Sequence, residues 1–337
     1  MGLKLIPEET DIKFLQMRWI AFAISTVAVL ASIAVFFLNG LNFGIDFKGG
    51  AVVEVGPAEG QVFTTDDLAT VRSALTDLGL GTINVSEIGG SGGADAAGGI
   101  VAKIELQSGD VEFTEQCLAA KPENIGGDPA EQAQQIATAC VSATLKEVLG
   151  EDIRDRRVDV VGPAVSGELI QKGVGAIVFA VIAMLAYIWF RFEWQFSLGA
   201  IVALIHDVIL TVGMFSITQL EFNLPIIAAL LTIVGYSMND TVVVYDRVRE
   251  NLRKYKKKPL QDLLDFSINQ TLSRTVMTSV TTLIALLALF IFGGPVLRGF
   301  TAAMIWGVII GTYSSVFIAS PVLQVLGVKR EWNQTAN

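Results

Sequence analysis

Apolar residues in this chain come in long runs, and the runs have membrane length. Six of them, 19–38, 173–190, 196–218, 224–245, 276–292 and 300–323, carry almost no charge. Each approaches the ~20 residues a helix needs to cross a bilayer, so six spanning helices are predicted. The stretch between the first two runs has shorter periods. Residues 51–55 are β-branched and apolar, and Thr64 to Asp67 has the spacing of a helix-opening capping box. Leu68, Val71, Leu75 and Leu78 follow at helical spacing until Gly79. Residues 82–88 and 100–106 alternate as strands, with a glycine-rich connection over 89–99 between them. A second helix is predicted over 129–149, with Ile136, Val141, Leu145 and Val148 on its apolar side, and a last strand over 157–161. The order βαββαβ is that of a split, ferredoxin-like α+β domain, inserted between spans one and two. Links at 41–50 and 162–168 would let it swing as a unit.

Composition agrees with the pattern. Of 337 residues 52% are hydrophobic and 17% charged, a balance rare in a soluble domain of this length. The first run is preceded by Lys4, Lys13 and Arg18, as a signal peptide would be, but Phe36-Phe37-Leu38-Asn39 offers no small-x-small cleavage site; it is expected to remain as an anchor. Charge then orients the chain. Residues 39–168 hold eight Lys plus Arg against twenty-one Asp plus Glu, a net of −13, while the rest of the chain nets +4. Arg247, Arg249, Arg253, Lys254, Lys256, Lys257 and Lys258 concentrate that positive charge in one connection. Lysine and arginine stay on the cytoplasmic side, so the acidic domain is expected outside and the basic connection inside. Lys329 and Arg330 place the C-terminus inside too. The partition is an internal N-terminus (1–18), a first span (19–38), an external domain with linkers (39–168), a five-helix bundle (169–323) with a basic loop at 246–270, and an internal C-terminus (324–337). The basic loop reads as topology bias and contact with anionic headgroups rather than as a nucleic-acid site.

Candidate chemistry is sparse. The glycine-rich segment lacks the Gly-Lys-Ser or Gly-Lys-Thr of a phosphate loop. With one histidine, and with Cys117 and Cys140 both in the external domain, a zinc site has almost no ligands. The two cysteines can pair as a disulfide, closing a loop whose constraint contributes about 3 kcal/mol, or stand as free thiols. The spans hold His206 and Asp207, Asp240, and Arg274. An ionised aspartate among apolar helices costs about 2.5–3.5 kcal/mol on insertion scales, and such groups are functional candidates that pair with one another. Asp240 lies six residues from Asp246, about 9 Å along a helix, and Arg274 nine from Asp265, about 13 Å. An Asp240–Arg274 pair is therefore expected, with Tyr236, Ser237, Asn239 and a stripe of Thr271, Thr275, Thr278 and Thr282 around it. Gly199, Ala203, Asp207 and Thr211 recur every four residues, as do Gly307 and Gly311, which favours close helix contact. A carboxylate whose surroundings change with conformation couples proton passage to motion; a static bridge is the plainer reading. His206 and Asp207 fit interhelical hydrogen bonding as an auxiliary polar network.

Asn42-Phe43-Gly44-Ile45-Asp46-Phe47-Lys48-Gly49-Gly50, Val161-Gly162-Pro163, Arg191-Phe192-Glu193-Trp194, His206-Asp207, the run from Gly235 to Thr241 (GYSMNDT) and Phe292-Gly293-Gly294-Pro295-Val296-Leu297 together set the chain beside a known group. From about Trp19 to Arg330 it resembles the SecF family, smaller membrane subunits of bacterial SecDF protein-export complexes and themselves similar to resistance-nodulation-division (RND) transporters. The resemblance implies a six-helix half-transporter of the inner membrane with a periplasmic domain. It also implies pairing with SecD, assistance to the SecYEG channel, contact with YajC and with unfolded preproteins, and export driven by the proton gradient with no cofactor. The family's membrane aspartate and arginine fall on Asp240 and Arg274, and the chain is expected not to be an enzyme. The stretch 110–140 is longer than the family pattern. An RND-like exporter of small molecules or lipids is the alternative, and a single acidic domain is small for a drug-binding porter. An aspartyl protease built on Asp207 and Asp240 is a poorer fit, because neither residue sits in a Tyr-Asp or Gly-x-Gly-Asp setting and a nearby arginine suppresses the shared proton such chemistry needs. A scaffold whose charges only lock helices has the same sequence signature.

Overall fold

In the computed structural model the described residues are 10–59, 61–88 and 98–328. A short 3₁₀ turn, Phe14–Met17, leads into α1, Arg18–Asn39, which Gly40 ends in a positive-φ conformation. After a single turn, α2 (Ile45–Lys48), the chain builds the inserted domain. Its elements are β1 (Gly50–Gly56), α3 (Thr65–Thr76), β2 (Ile83–Ile88), β3 (Gly99–Ile104), α4 (Glu115–Ala119), α5 (Pro129–Leu149) and β4 (Arg154–Val161). The strands form one antiparallel sheet in the order β2-β3-β1-β4, the arrangement of the split βαββαβ motif. Thr64 and Asp67 close a reciprocal capping box that starts α3, and Asp128 caps α5 ahead of Pro129. Val53, Val55, Ile100, Ala102 and Ile104 from the sheet meet Val71, Leu75, Val141 and Leu145 from the helices in a closed apolar core.

Cys117 and Cys140 are joined as a disulfide that staples α4 to α5, with Cα atoms 4.6 Å apart. The extra segment thus contributes a short helix to the domain's own core. Most of the glycine-rich connection lies at 89–97, outside the described residues.

Five further spanning-length helices follow: α6 (Pro163–Arg191), α7 (Trp194–Thr218), α8 (Leu224–Lys254), α9 (Leu260–Phe292) and α10 (Gly294–Ser314). The last continues through a π-helical turn, Ser315–Ala319, into α11, Ser320–Val325. With α1 they make, among the described residues, six helices long and apolar enough to cross a membrane. Buried residues concentrate on α7, α8 and α10, while α6 and the second half of α9 are largely exposed. Two boundaries differ from the sequence reading. No flexible link follows the domain, because β4 ends at Val161 and α6 starts at Pro163, whose fixed φ suits the first helical position. Nor is 246–270 a loop: α8 and α9 continue past their apolar parts and leave only 255–259 between them. Hydropathy marks where helices leave lipid, which is not where they end.

Ion pairs and aromatic contacts fasten the two ends of the bundle. At the domain end Lys103 of β3 pairs with Glu221, Asp46 accepts from the backbone N–H of Leu224 at 2.7 Å, and Phe43, Phe47 and Phe222 cluster. Glu221 is thereby engaged by the inserted domain. At the other end the carboxylate of Asp265 accepts from the Leu15 N–H at 2.9 Å, and Asn269 brackets Ile12 with two hydrogen bonds. Burial pushes the Glu193 carboxyl above its ordinary range there, partly offset by Arg249 and Arg253. Lys4, which precedes the first run, and Lys329 and Arg330, used above to orient the chain, lie outside the described residues.

Candidate functional site

Polar side chains meet in the interior of the bundle. On α7, residues four apart share a face, and Gly199, Ala203, Asp207 and Thr211 are all buried, with Asp207 bonded to α8 and α10. Gly199 lies against the Tyr245 hydroxyl. On α8, Ser237 and Asp240 stand three apart on the inner face. A Cβ at Gly307 would run into Ile233, and one at Gly311 would press on Ser237; the absence of side chains there brings α10 against α8.

Two carboxylates anchor this seam. Asp207 accepts hydrogen bonds from Ser237 Oγ at 2.6 Å and Ser314 Oγ at 2.7 Å, and its other oxygen lies 2.9 Å from His206 Nδ1. Asp240 accepts from Thr275 Oγ1 at 2.7 Å and from Ser315 Oγ at 2.5 Å. A second tier joins Tyr236 to Ser279 at 3.5 Å and Ser279 to Thr312 at 2.7 Å. His206 stacks on Tyr313, whose hydroxyl lies 3.0 Å from Ser25 of α1. In lipid these hydroxyls have no water to turn to, so the seam holds five helices together and gives two groups able to take a proton defined partners. Among the described residues each carboxylate is met by hydroxyl donors, Asp207 also by a ring nitrogen of His206, and no lysine or arginine lies within bonding distance of either.

The expected Asp240–Arg274 ion pair is not formed among the described residues. Arg274 is exposed on the open face of α9, and its neighbour Thr275 turns into the seam. Successive helical residues are ~100° apart, so one of the two can face Asp240 and the other cannot. Thr278 and Asn239 are exposed as well; the Thr278 hydroxyl donates to carbonyls of its own helix, Arg274 at 3.1 Å and Thr275 at 2.9 Å. Asp207, His206 and Ser237 are brought together as one cluster. The sequence reading missed Ser314, Ser315 and Ser279. A Ser-Ser pair in the middle of an apolar span was the available signal, but hydroxyls back-bonding to their own helix look the same in sequence.

Six spanning helices, a ferredoxin-like domain inserted after the first and a buried carboxylate seam define an RND-like half-transporter. The family described as "Protein export membrane protein SecD/SecF, C-terminal" matches residues 141–329, and the "SecD/SecF GG Motif" family matches 34–57. The chain is 44% identical over 328 residues to the protein translocase subunit SecF of Rhodobacter capsulatus, covering 97% of this chain and 92% of that one. It is 40% identical to the SecF of Rickettsia bellii, covering 97% of each. The crystal structure of SecDF, a translocon-associated membrane protein from Thermus thermophilus, superposes with a TM-score of 0.74 at 32% identity. It covers 97% of this chain, which spans only 40% of the SecDF chain. A super-membrane-facing form of SecDF matches with a TM-score of 0.65 at 33% identity. The chain belongs to the SecF family of protein translocase subunits.

Proposed function

We propose that this multi-pass subunit pairs with SecD in the bacterial inner membrane and uses the proton gradient, with no cofactor, to promote preprotein translocation and release on the periplasmic side. In this reading both termini lie in the cytoplasm, the inserted domain is periplasmic, and the assembly works with SecYEG, YajC and unfolded preproteins. Asp240 is the group that gains and loses the proton. The observation that carries the reading is the buried seam itself: Asp240 is 7% exposed, and among the described residues its carboxylate accepts hydrogen bonds from Thr275 and Ser315. The match to 40% of a SecDF chain supports a missing second half. So does Arg274, a charge on the open side of an apolar helix, where lipid exposure costs about 2.5–3.5 kcal/mol and a partner's carboxylate or a wet seam relieves it.

The test is release of a pulse-labelled secretory protein from spheroplasts carrying Asp240→Asn, with and without an uncoupler. Asparagine keeps the size and most of the hydrogen bonding while removing the titratable proton. The expected result is stalled release with the complex still assembled and no further effect of the uncoupler. Normal, uncoupler-sensitive release would remove Asp240 from the mechanism and move the search to His206 and Asp207.

A further inference from the structure

Ser314 and Ser315 occupy a position that neither the family comparison nor the carboxylates alone explain. They are consecutive, and each serves a different aspartate: Ser314 Oγ lies 2.7 Å from Asp207 on α7 and Ser315 Oγ 2.5 Å from Asp240 on α8. Each also lies within reach of a carbonyl of its own helix, Gly311 O at 3.2 Å for Ser314 and Thr312 O at 3.0 Å for Ser315. A serine hydroxyl has one hydrogen and two lone pairs, so it donates to the carboxylate or to the carbonyl. The π turn starts at Ser315, and π turns are rare and concentrate at functional sites. Its carbonyls receive hydroxyls at both ends, Ser320 Oγ on Ser315 O at 3.0 Å and Tyr245 OH on Ala319 O at 3.1 Å.

We infer that Ser314 and Ser315 are positioning residues that read the protonation states of Asp207 and Asp240 and pass both to α10. With the carboxylate charged, the serine donates to it and α10 is held against α7 and α8 by two charge-assisted bonds. With the carboxyl protonated, its O–H donates to the serine oxygen, the serine hydrogen turns to Gly311 O or Thr312 O, and the charge assistance is lost. No bond other than a hydrogen bond changes, and the proton stays on the carboxyl. The other titratable or charged side chains around the seam, among the described residues, are His206 on α7, Tyr236 and Tyr245 on α8, Arg274 on α9 and Tyr313 on α10. Thr275 and Ser237 also donate to the carboxylates, but Ser314 and Ser315 are the adjacent pair that touches both.

This inference rests on Asp240 being the titrating group, and its test separates the two claims. The full chain, purified with its co-purifying subunits and reconstituted in liposomes, would be titrated by infrared difference spectroscopy. Loss of a carboxyl C=O band in Asp240→Asn and in Asp207→Asn assigns each aspartate. Removing a donor to the charged form favours the protonated form, so Ser315→Ala should move the Asp240 midpoint about one pH unit higher. It should leave the Asp207 band in place. Ser315→Thr, which keeps the hydroxyl, should restore the midpoint, and Ser314→Ala should move the Asp207 band instead. A titrating Asp240 indifferent to Ser315→Ala overturns the inference alone, as does a shift that Ser315→Thr shares. An Asp240 band that never titrates overturns both the inference and the proposed function.

Discussion

In the inserted domain the fully buried side chains are mostly apolar, among them Ala51, Val53, Val55, Ile100 and Val141, whereas in the bundle Asp207, Thr211, Ser314 and Ser315 lie at the same depth beside Phe196 and Leu263. Each region is built for its own solvent. A domain surrounded by water gains by hiding apolar surface, so its core is closed and its charges are outside. A bundle surrounded by lipid gains little from moving leucine inward, since lipid tails are as apolar as leucine; close backbone approach and interhelical hydrogen bonds take over. The lesson concerns where chemistry can reside. A polar group in the domain core is an exception that ties down backbone, as Gln134 does in accepting from the Gln107 N–H at 2.8 Å, while in the bundle it is the means by which helices recognise one another and a place where a proton can be held.

The comparison predicts different weak points. The largest expected effect falls on the domain, where replacing Cys117 and Cys140 by alanine together releases a loop with a sequence separation of 23. The loss should be about 3 kcal/mol, read as faster proteolysis of the inserted domain in the intact chain while the bundle stays resistant. Equal sensitivity in both regions would mean that they do not unfold independently. Next comes Gly307→Val, which forces a branched side chain against Ile233 where α10 meets α8. Overpacking of this kind costs about 1–3 kcal/mol and should lower the thermal midpoint in detergent without touching the domain. Gly235→Ala supplies the control, because nothing lies within 4 Å of a Cβ built there and alanine favours helix. If both substitutions behave alike, the seam is not held by close backbone approach.

How far sequence reached differs between the regions for the same reason. In the domain, alternation and capping map onto one answer: Thr64 starts α3, the strands fall where β-branched residues alternate, and βαββαβ admits few sheet orders. In the bundle, apolar runs reveal that helices exist but not which way each one faces. Asp240 stood out because a carboxylate among apolar residues has few bland explanations. Its partner did not, since Arg274 and Thr275 are adjacent and only the rotation of α9, set by packing against α8 and α10, decides which of them meets Asp240. Ser314 and Ser315 were hidden by the same ambiguity, deepened by a π turn that no propensity announces. Helical periodicity gave the small-residue contacts at Gly307 and Gly311 correctly because glycine leaves only one thing to know, which neighbour comes close.

The finest test sets one kind of bond in both solvents. Thr64 Oγ1 donates to the Asp67 carboxylate at 2.8 Å on the exposed side of the domain, and Ser237 Oγ donates to Asp207 at 2.6 Å inside the bundle. The Asp67 carboxyl is held below its ordinary value of 3.8, first by the Thr64 backbone N–H and then by the Thr64 hydroxyl. A lowered carboxyl stabilises the folded form above the unfolded value and loses that contribution as pH falls through the folded value. Thr64→Ala should therefore cost about 1 kcal/mol near neutrality, and the gap between parent and variant should narrow below pH 4 or so. Ser237→Ala should cost about 0.6 kcal/mol, the average that double-mutant cycles give for interhelical hydrogen bonds in a membrane bundle. Burial alone would suggest the reverse order. The reason for expecting the smaller loss inside is that Asp207 keeps Ser314 and His206 as partners when Ser237 is removed, whereas the Asp67 N–H at the start of α3 loses the hydroxyl that caps it. Should Ser237→Ala prove the more damaging of the two, Asp207 depends on all of its donors at once, and the seam is a cooperative network instead of a set of replaceable contacts.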